Sequence, residues 1–129
     1  MSDLLGLFVP RALFQKRKPP RFSRAEPDPD DLARIEELRV QGSQLKVPHP
    51  VRAYVSFAAE PPAREAMERM TKDGYQCSVR AGQGGSWTVT AITSLVPAPG
   101  QITWLREEMV KLGQELQGTY IGWDAPIVA

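Results

Sequence analysis

Two runs, "VRAYVSF" at residues 51–57 and "SWTVTAITSLV" at 86–96, alternate apolar and polar side chains with period two. Successive side chains of an extended chain point to opposite faces, so each run is a strand with one buried face and one that meets water. In the first run Val51, Ala53, Val55 and Phe57 point one way, and Arg52, Tyr54 and Ser56 the other. A chain holding such strands must supply helices that cover one face only.

The intervening segments supply them. Pro61 opens a helix that gathers Ala63, Ala66, Met67 and Met70 on one side, and Gly74 ends it as a left-handed C-cap. "YQCSVR" resumes the alternation, with Tyr75, Cys77 and Val79 together, and the glycine-rich "AGQGG" joins it to the second run as a hairpin. From Pro99 onward Ile102, Leu105, Met109, Leu112 and Leu116 step by 3, 4, 3 and 4, the stripe of a core-facing helix. Gly113 within it costs ~1 kcal/mol relative to alanine, which points to close packing at that turn. Gly118 is expected to stop the helix, and "TYIGW" is the one extended stretch left, a fourth strand.

The order is β, α, β, β, α, β. With both helices on one face, its simplest packing is a ferredoxin-like α+β sandwich, a four-stranded antiparallel sheet covered by two helices. We expect this domain over residues 43–129.

Ahead of it, residues 1–27 read as a basic, mostly disordered arm. "QKRKPPRFSRAEPDPDD" is charged, proline-broken and nearly devoid of aliphatic side chains, so it lacks the apolar surface that offsets ordering entropy. Residues 28–42 read as a short amphipathic helix. Asp28 caps it, Pro29 is its first residue, and Asp30 and Asp31 favour its positive end. Leu32, Ile35 and Leu38 form its apolar stripe, which docks on the body or on a partner. In "KVPHP" the prolines interrupt regular structure, leaving His49 in a connector.

The 129 residues fit one domain, of which about 80 to 90 are globular. A domain of that size buries about 60 to 65% of its unfolded surface, so a binding surface suits it better than a deep active site. The single cysteine, Cys77, excludes an internal disulfide and fits a reducing, cytoplasmic setting. No run approaches the ~20 apolar residues that span a bilayer. The N-terminal "LLGLFVPRALF" follows Asp3, is broken by Pro10 and Arg11 and lacks a cleavage pattern, which argues against a signal peptide.

The net charge of +1 is unevenly spread. Residues 1–26 carry six basic against two acidic side chains, the remainder ten against thirteen. The basic arm has three roles open to it: contact with nucleic acid, contact with an acidic partner, or solubilisation. Its apolar "LLGLF" and "ALF" also suit a membrane surface or a partner groove.

The residue inventory disfavours catalysis. One cysteine and one histidine almost thirty positions apart do not build a zinc site, and no cofactor motif is present. Cys77 shares a face with Tyr75 and Val79 and reads as a small core residue. "GQGG" joins two strands and opens no helix, so it lacks the dipole of a phosphate loop. Glu107 and Glu108 lie on a solvated helix face beside Lys111.

The sheet face away from the helices is the better candidate surface. It carries Arg52, Tyr54 and Arg80 among Ser56, Gln76, Ser78, Thr88, Thr90 and Ile92. An open sheet with an aromatic and arginines can stack single-stranded RNA. "SWTVTAITS" lacks the aromatic strand motif of RNA-binding βαββαβ modules, so a partly solvated sheet or a dimer contact stays open beside it.

"VQGSQLKVPHPVRAYVSF", "KDGYQCSV", "LVPAPGQI" and "GTYIGW" together resemble the RraB family, the regulators of ribonuclease activity B, over about residues 39 to 128. The resemblance implies a ferredoxin-like, non-enzymatic protein that binds and inhibits an endoribonuclease of the ribonuclease E type. The family's terminal Tyr-Asp-Gly-Trp is matched by Tyr120, Gly122 and Trp123, with Ile121 in the place of the aspartate. Better-known members are strongly acidic, whereas this chain is near neutral with a basic arm.

Overall fold

A computed structural model describes residues 21–129. Its elements are α1 (Pro29–Val40), β1 (His49–Phe57), α2 (Glu60–Lys72), β2 (Gln76–Ala81), β3 (Trp87–Leu95), α3 (Pro99–Leu116) and β4 (Gly118–Asp124). The strands form one antiparallel sheet in the order β2-β3-β1-β4. The architecture is therefore mixed α and β, a four-stranded antiparallel sheet with three helices.

Period-two alternation sets the two faces of the sheet. In β1, His49, Val51, Ala53, Val55 and Phe57 are all buried, and Val89, Ala91, Thr93 and Leu95 of β3 lie on the same side. Ala63, Ala66 and Met70 of α2 and Ile102, Leu105 and Met109 of α3 close over them in one core. Each fully buried large side chain there contributes ~1.5–3 kcal/mol by leaving water. The opposite face stays open.

Glycines mark where backbone geometry leaves no alternative. Gly74 takes φ +99° after α2, and Tyr75 N–H reaches back to the Met70 carbonyl at 3.0 Å, the left-handed stop that the sequence predicts. At the end of α3 the expectation fails, because Gln117, at φ 61°, makes the left-handed turn and Gly118 already belongs to β4. Gly118 serves packing instead: a Cβ there would lie 2.4 Å from the Phe57 ring. Gly113 likewise lets α3 approach β4, since its Cβ would meet the Gly118 carbonyl oxygen at 2.8 Å.

Three further expectations are corrected. The apolar stripe of α1 is not Leu32, Ile35 and Leu38: Leu32 is 42% exposed, and Asp31 is the third buried residue. β1 begins inside "KVPHP", taking in both His49 and Pro50. Pro50 is tolerated because β4 pairs with β1 only from Arg52, leaving that end of β1 bonded on one side. Finally, the stretch read as a disordered linker is seated where it is described. Ser23 N–H bonds the Gly100 carbonyl at 3.0 Å, and Phe22 lies against Gly100. Arg21 donates to Thr93 Oγ1 at 2.8 Å beneath the rings of Tyr75 and Trp104. Most of the basic arm, residues 1–20, lies outside the described residues.

The segment after α1 and the C-terminus are stitched together through a buried histidine. His49, 0% exposed, donates from Nδ1 to the Val47 carbonyl at 2.8 Å and accepts at Nε2 from Ser43 Oγ at 2.6 Å. The Nδ1 role follows because a carbonyl only accepts. Ser43 Oγ in turn accepts from Val128 N–H at 2.9 Å, and Gln44 N–H bonds the Val128 carbonyl.

Candidate functional site

Tyr120, Gly122 and Trp123 lie on β4, an outer strand of the sheet, and the strand is irregular there. Tyr54 pairs with Gly122 while Val55 pairs with Tyr120, so Ile121 is the extra residue of a β-bulge. Gly122 sits at φ +147°, a conformation that a side chain would strain. The bulge turns Ile121 outward, 60% exposed, and sends Trp123 inward, 3% exposed.

Trp123 belongs to the core. Its indole Nε1–H donates to Asp31 Oδ1 of α1 at 3.1 Å. Arg106 of α3 grips the same carboxylate with both arms of its fork, Nε to Oδ2 at 2.8 Å and Nη2 to Oδ1 at 2.9 Å. Asp28 stands 3.6 Å from the same guanidinium, and Tyr120 lies under it with 5.3 Å from Cζ to the ring centroid. The hydrogen bonds that Arg106 donates to Asp31 drive its guanidinium further toward its protonated form, and burial raises the Tyr120 phenol well above its usual range. The Tyr120 hydroxyl is buried without a hydrogen-bond partner among the described residues.

Asp31 also occupies the first turn of α1, whose dipole favours a negative charge. Three elements of stabilisation converge on one carboxylate: a bidentate arginine, an indole N–H and a helix terminus. The arrangement clamps α1 to α3 and β4. It uses the carboxylate as an acceptor in every contact, so it is built for holding and offers no free base.

The sheet face brings Arg52 and Tyr54 together with Asp124, a residue the sequence reading passes over. Arg52 Nε donates to Asp124 Oδ1 at 2.6 Å, and Tyr54 Oη donates to Oδ2 at 2.8 Å. Partial burial and that bond raise the Tyr54 phenol. Arg80, on β2 beside Thr88 in the ladder and without an ion pair among the described residues, lines one shallow groove with Arg52 and Tyr54. Arg52 is thus paired with a carboxylate, while Arg80 is not.

Other candidates dissolve on inspection. Among the described residues no group of three or more His, Cys, Asp or Glu is placed to hold a metal ion. Burial raises the Cys77 thiol, the opposite of an activated nucleophile. Among the described residues no helix is long and apolar enough to cross a membrane.

Asp31 was legible in principle; its partner Arg106 was not. Asp31 lies four and seven residues before Ile35 and Leu38, on their stripe, and an acidic side chain on an apolar stripe signals a buried partner.

The family model described as "Regulator of ribonuclease activity B" matches residues 30–125, from the first turn of α1 to just past β4. No curated protein and no solved structure matches the chain.

Proposed function

The chain belongs to the RraB family of regulators of ribonuclease activity, and from that premise we propose that it is a non-catalytic regulator that binds and inhibits an endoribonuclease of the ribonuclease E type. Acting in the cytoplasm, where Cys77 stays a thiol, it slows RNA turnover by contact alone. The observation that carries this reading is the match over residues 30–125, which takes in α1 together with all four strands. The clamp on Asp31 is consistent with it, since it spends the chain's most convergent polar residues on holding elements together. The element order βαββαβ and the antiparallel order β2-β3-β1-β4, which is 4-1-3-2 from the other edge, support a ferredoxin-like classification.

The test is capture of the cognate ribonuclease E homologue by the full chain, with an RNA cleavage assay run at rising concentrations of the protein. Binding with slower cleavage is expected. Absence of binding with unchanged cleavage contradicts the proposal.

The competing reading, RNA stacking on the open sheet, rests on Tyr54 and Arg80 and predicts salt-sensitive binding of single-stranded RNA. Asp124 argues against it. If Arg80→Ala and Tyr54→Ala leave RNA binding at low salt unchanged or undetectable, that reading fails.

A further inference from the structure

The two outer strands of the sheet are finished differently. β4 is broken by the Ile121 bulge and flanked by α1, with Asp30, Ala33, Arg34 and Glu37 of the helix sharing one cleft with Ile121, Gly122 and Trp123. β2 pairs with β3 residue for residue from Gln76 to Ala81 without a bulge. It holds no proline, no lysine and no inward-pointing charge, three of the devices that keep an open strand from pairing with another chain, and its one charged side chain, Arg80, is on the open face. Its core-side residues Cys77 and Val79 remain only partly buried, as does Met67 of α2 beside them.

We propose that two copies of the chain join edge to edge through β2, antiparallel about a twofold axis at Ser78, to form one eight-stranded sheet. In that register Ser78 faces its own copy, Cys77 faces Val79 on the helix side, and Gln76 faces Arg80 on the open side. Like charges never meet, and both apolar residues gain an apolar neighbour.

The helices fit the same axis. α2 lies over β2 and β3, so two copies across a strand spacing of about 4.8 Å bring their α2 helices to about 10 Å, an ordinary packing distance. Arg69 faces α3 through Glu115 at 3.0 Å, while Thr71, two residues on and therefore on the opposite flank, donates to the Met67 carbonyl at 2.7 Å. That outer flank carries Glu60, Arg64 and Met67, with Glu68 beside them. Antiparallel pairing about Ala66 sets Arg64 of each copy against Glu68 of the other and buries the two Met67 side chains. The complementarity of the edge with itself is what selects a second copy as the occupant.

Sedimentation velocity on the full chain, from low micromolar to several hundred micromolar, tests this. A monomer–dimer equilibrium is expected. Arg64→Glu should weaken it about ten-fold, the swap Arg64→Glu with Glu68→Arg should restore it, and Glu37→Lys, on α1 at the β4 edge, should leave it unchanged. In a Cys77→Ser background, Ser78→Cys should form a disulfide-linked dimer faster than Gln76→Cys or Arg80→Cys. A monomer at every concentration, a charge swap without rescue, or faster cross-linking at Gln76 or Arg80 overturns the proposal. So does a chain that stays monomeric while β2 takes up an extended peptide of another protein.

Discussion

The two edges of the sheet differ in how much chemistry is committed to them. Along β4 a bulge, a glycine at φ +147°, an indole, a buried carboxylate and an arginine fork converge within a few residues. Along β2 there is a regular six-residue strand with half-covered side chains and no special backbone. The lesson concerns the most recognisable part of the sequence. Tyr120 and Trp123, which the sequence suggests as a family signature, serve the fold here: Trp123 anchors α1 at one edge through Asp31 and Tyr120 lies under Arg106, while the surface proposed for another chain is at the other edge.

The largest test of that contrast removes the anchor itself. Trp123→Ala should cost about 4 kcal/mol in urea unfolding, whereas Val79→Ala on β2 should cost about 1 kcal/mol, since its side chain is only partly buried. Equal losses at the two sites would erase the distinction.

Next comes Arg106→Ala, which leaves the Asp31 carboxylate buried with only the indole and the helix terminus. Breaking a buried pair costs about 3–5 kcal/mol. Arg106 retains 28% side-chain exposure, so the lower end, about 3 kcal/mol, is expected. Asp31→Asn keeps an acceptor for the indole and frees the arginine to reach water, so it should lose less, about 1–2 kcal/mol. If Asp31→Asn proves the more damaging, the burial of the carboxylate is not what Arg106 compensates.

Gly122→Ala probes the bulge. Its positive φ should cost about 1–2 kcal/mol, against no measurable change for Ser78→Ala on β2, read from the same unfolding curves.

A further effect is alkaline. The Tyr75 phenol is pushed up to about 12, chiefly by burial. A group whose folded pKa is raised contributes stability that is fully present below its unfolded value, about 10, and lost as pH climbs toward the folded one. Stability should therefore fall between about pH 10 and 12. Absorbance at the phenolate band should show Tyr75 and Tyr120 ionising together with unfolding, and Tyr54 ahead of them.

Much of this molecule follows from pattern alone, and the exceptions share a cause. The strands at 51–57 and 86–96 and the stripe from Ile102 to Met109 are set by local periodicity, which a single sequence displays. What escapes is polar and non-local. Asp31 pairs with Arg106 across seventy-five positions and with Trp123 across ninety-two. Arg52 and Tyr54 share Asp124 at similar distance. Proline content made "KVPHP" look unstructured, yet His49 is buried because Ser43, Val47 and the backbone at Val128 meet around it, a closure that no local rule reports. The seating of Arg21 and Phe22 escapes for the same reason, as both depend on Tyr75, Trp104 and Gly100, far along the chain. Gly118 shows the reverse error. It reads as a helix stop by composition and is required instead by the ring of Phe57.

Hydrogen exchange on the Arg106→Ala chain tests the central claim most directly, because it separates anchoring from general stability. If Arg106, Asp31 and Trp123 exist to fasten α1 at the β4 edge, protection should fall across Pro29–Val40 and Gly118–Asp124 while β1, β2 and β3 keep theirs. A uniform loss over all four strands, or α1 amides as protected as in the unaltered chain, would contradict it.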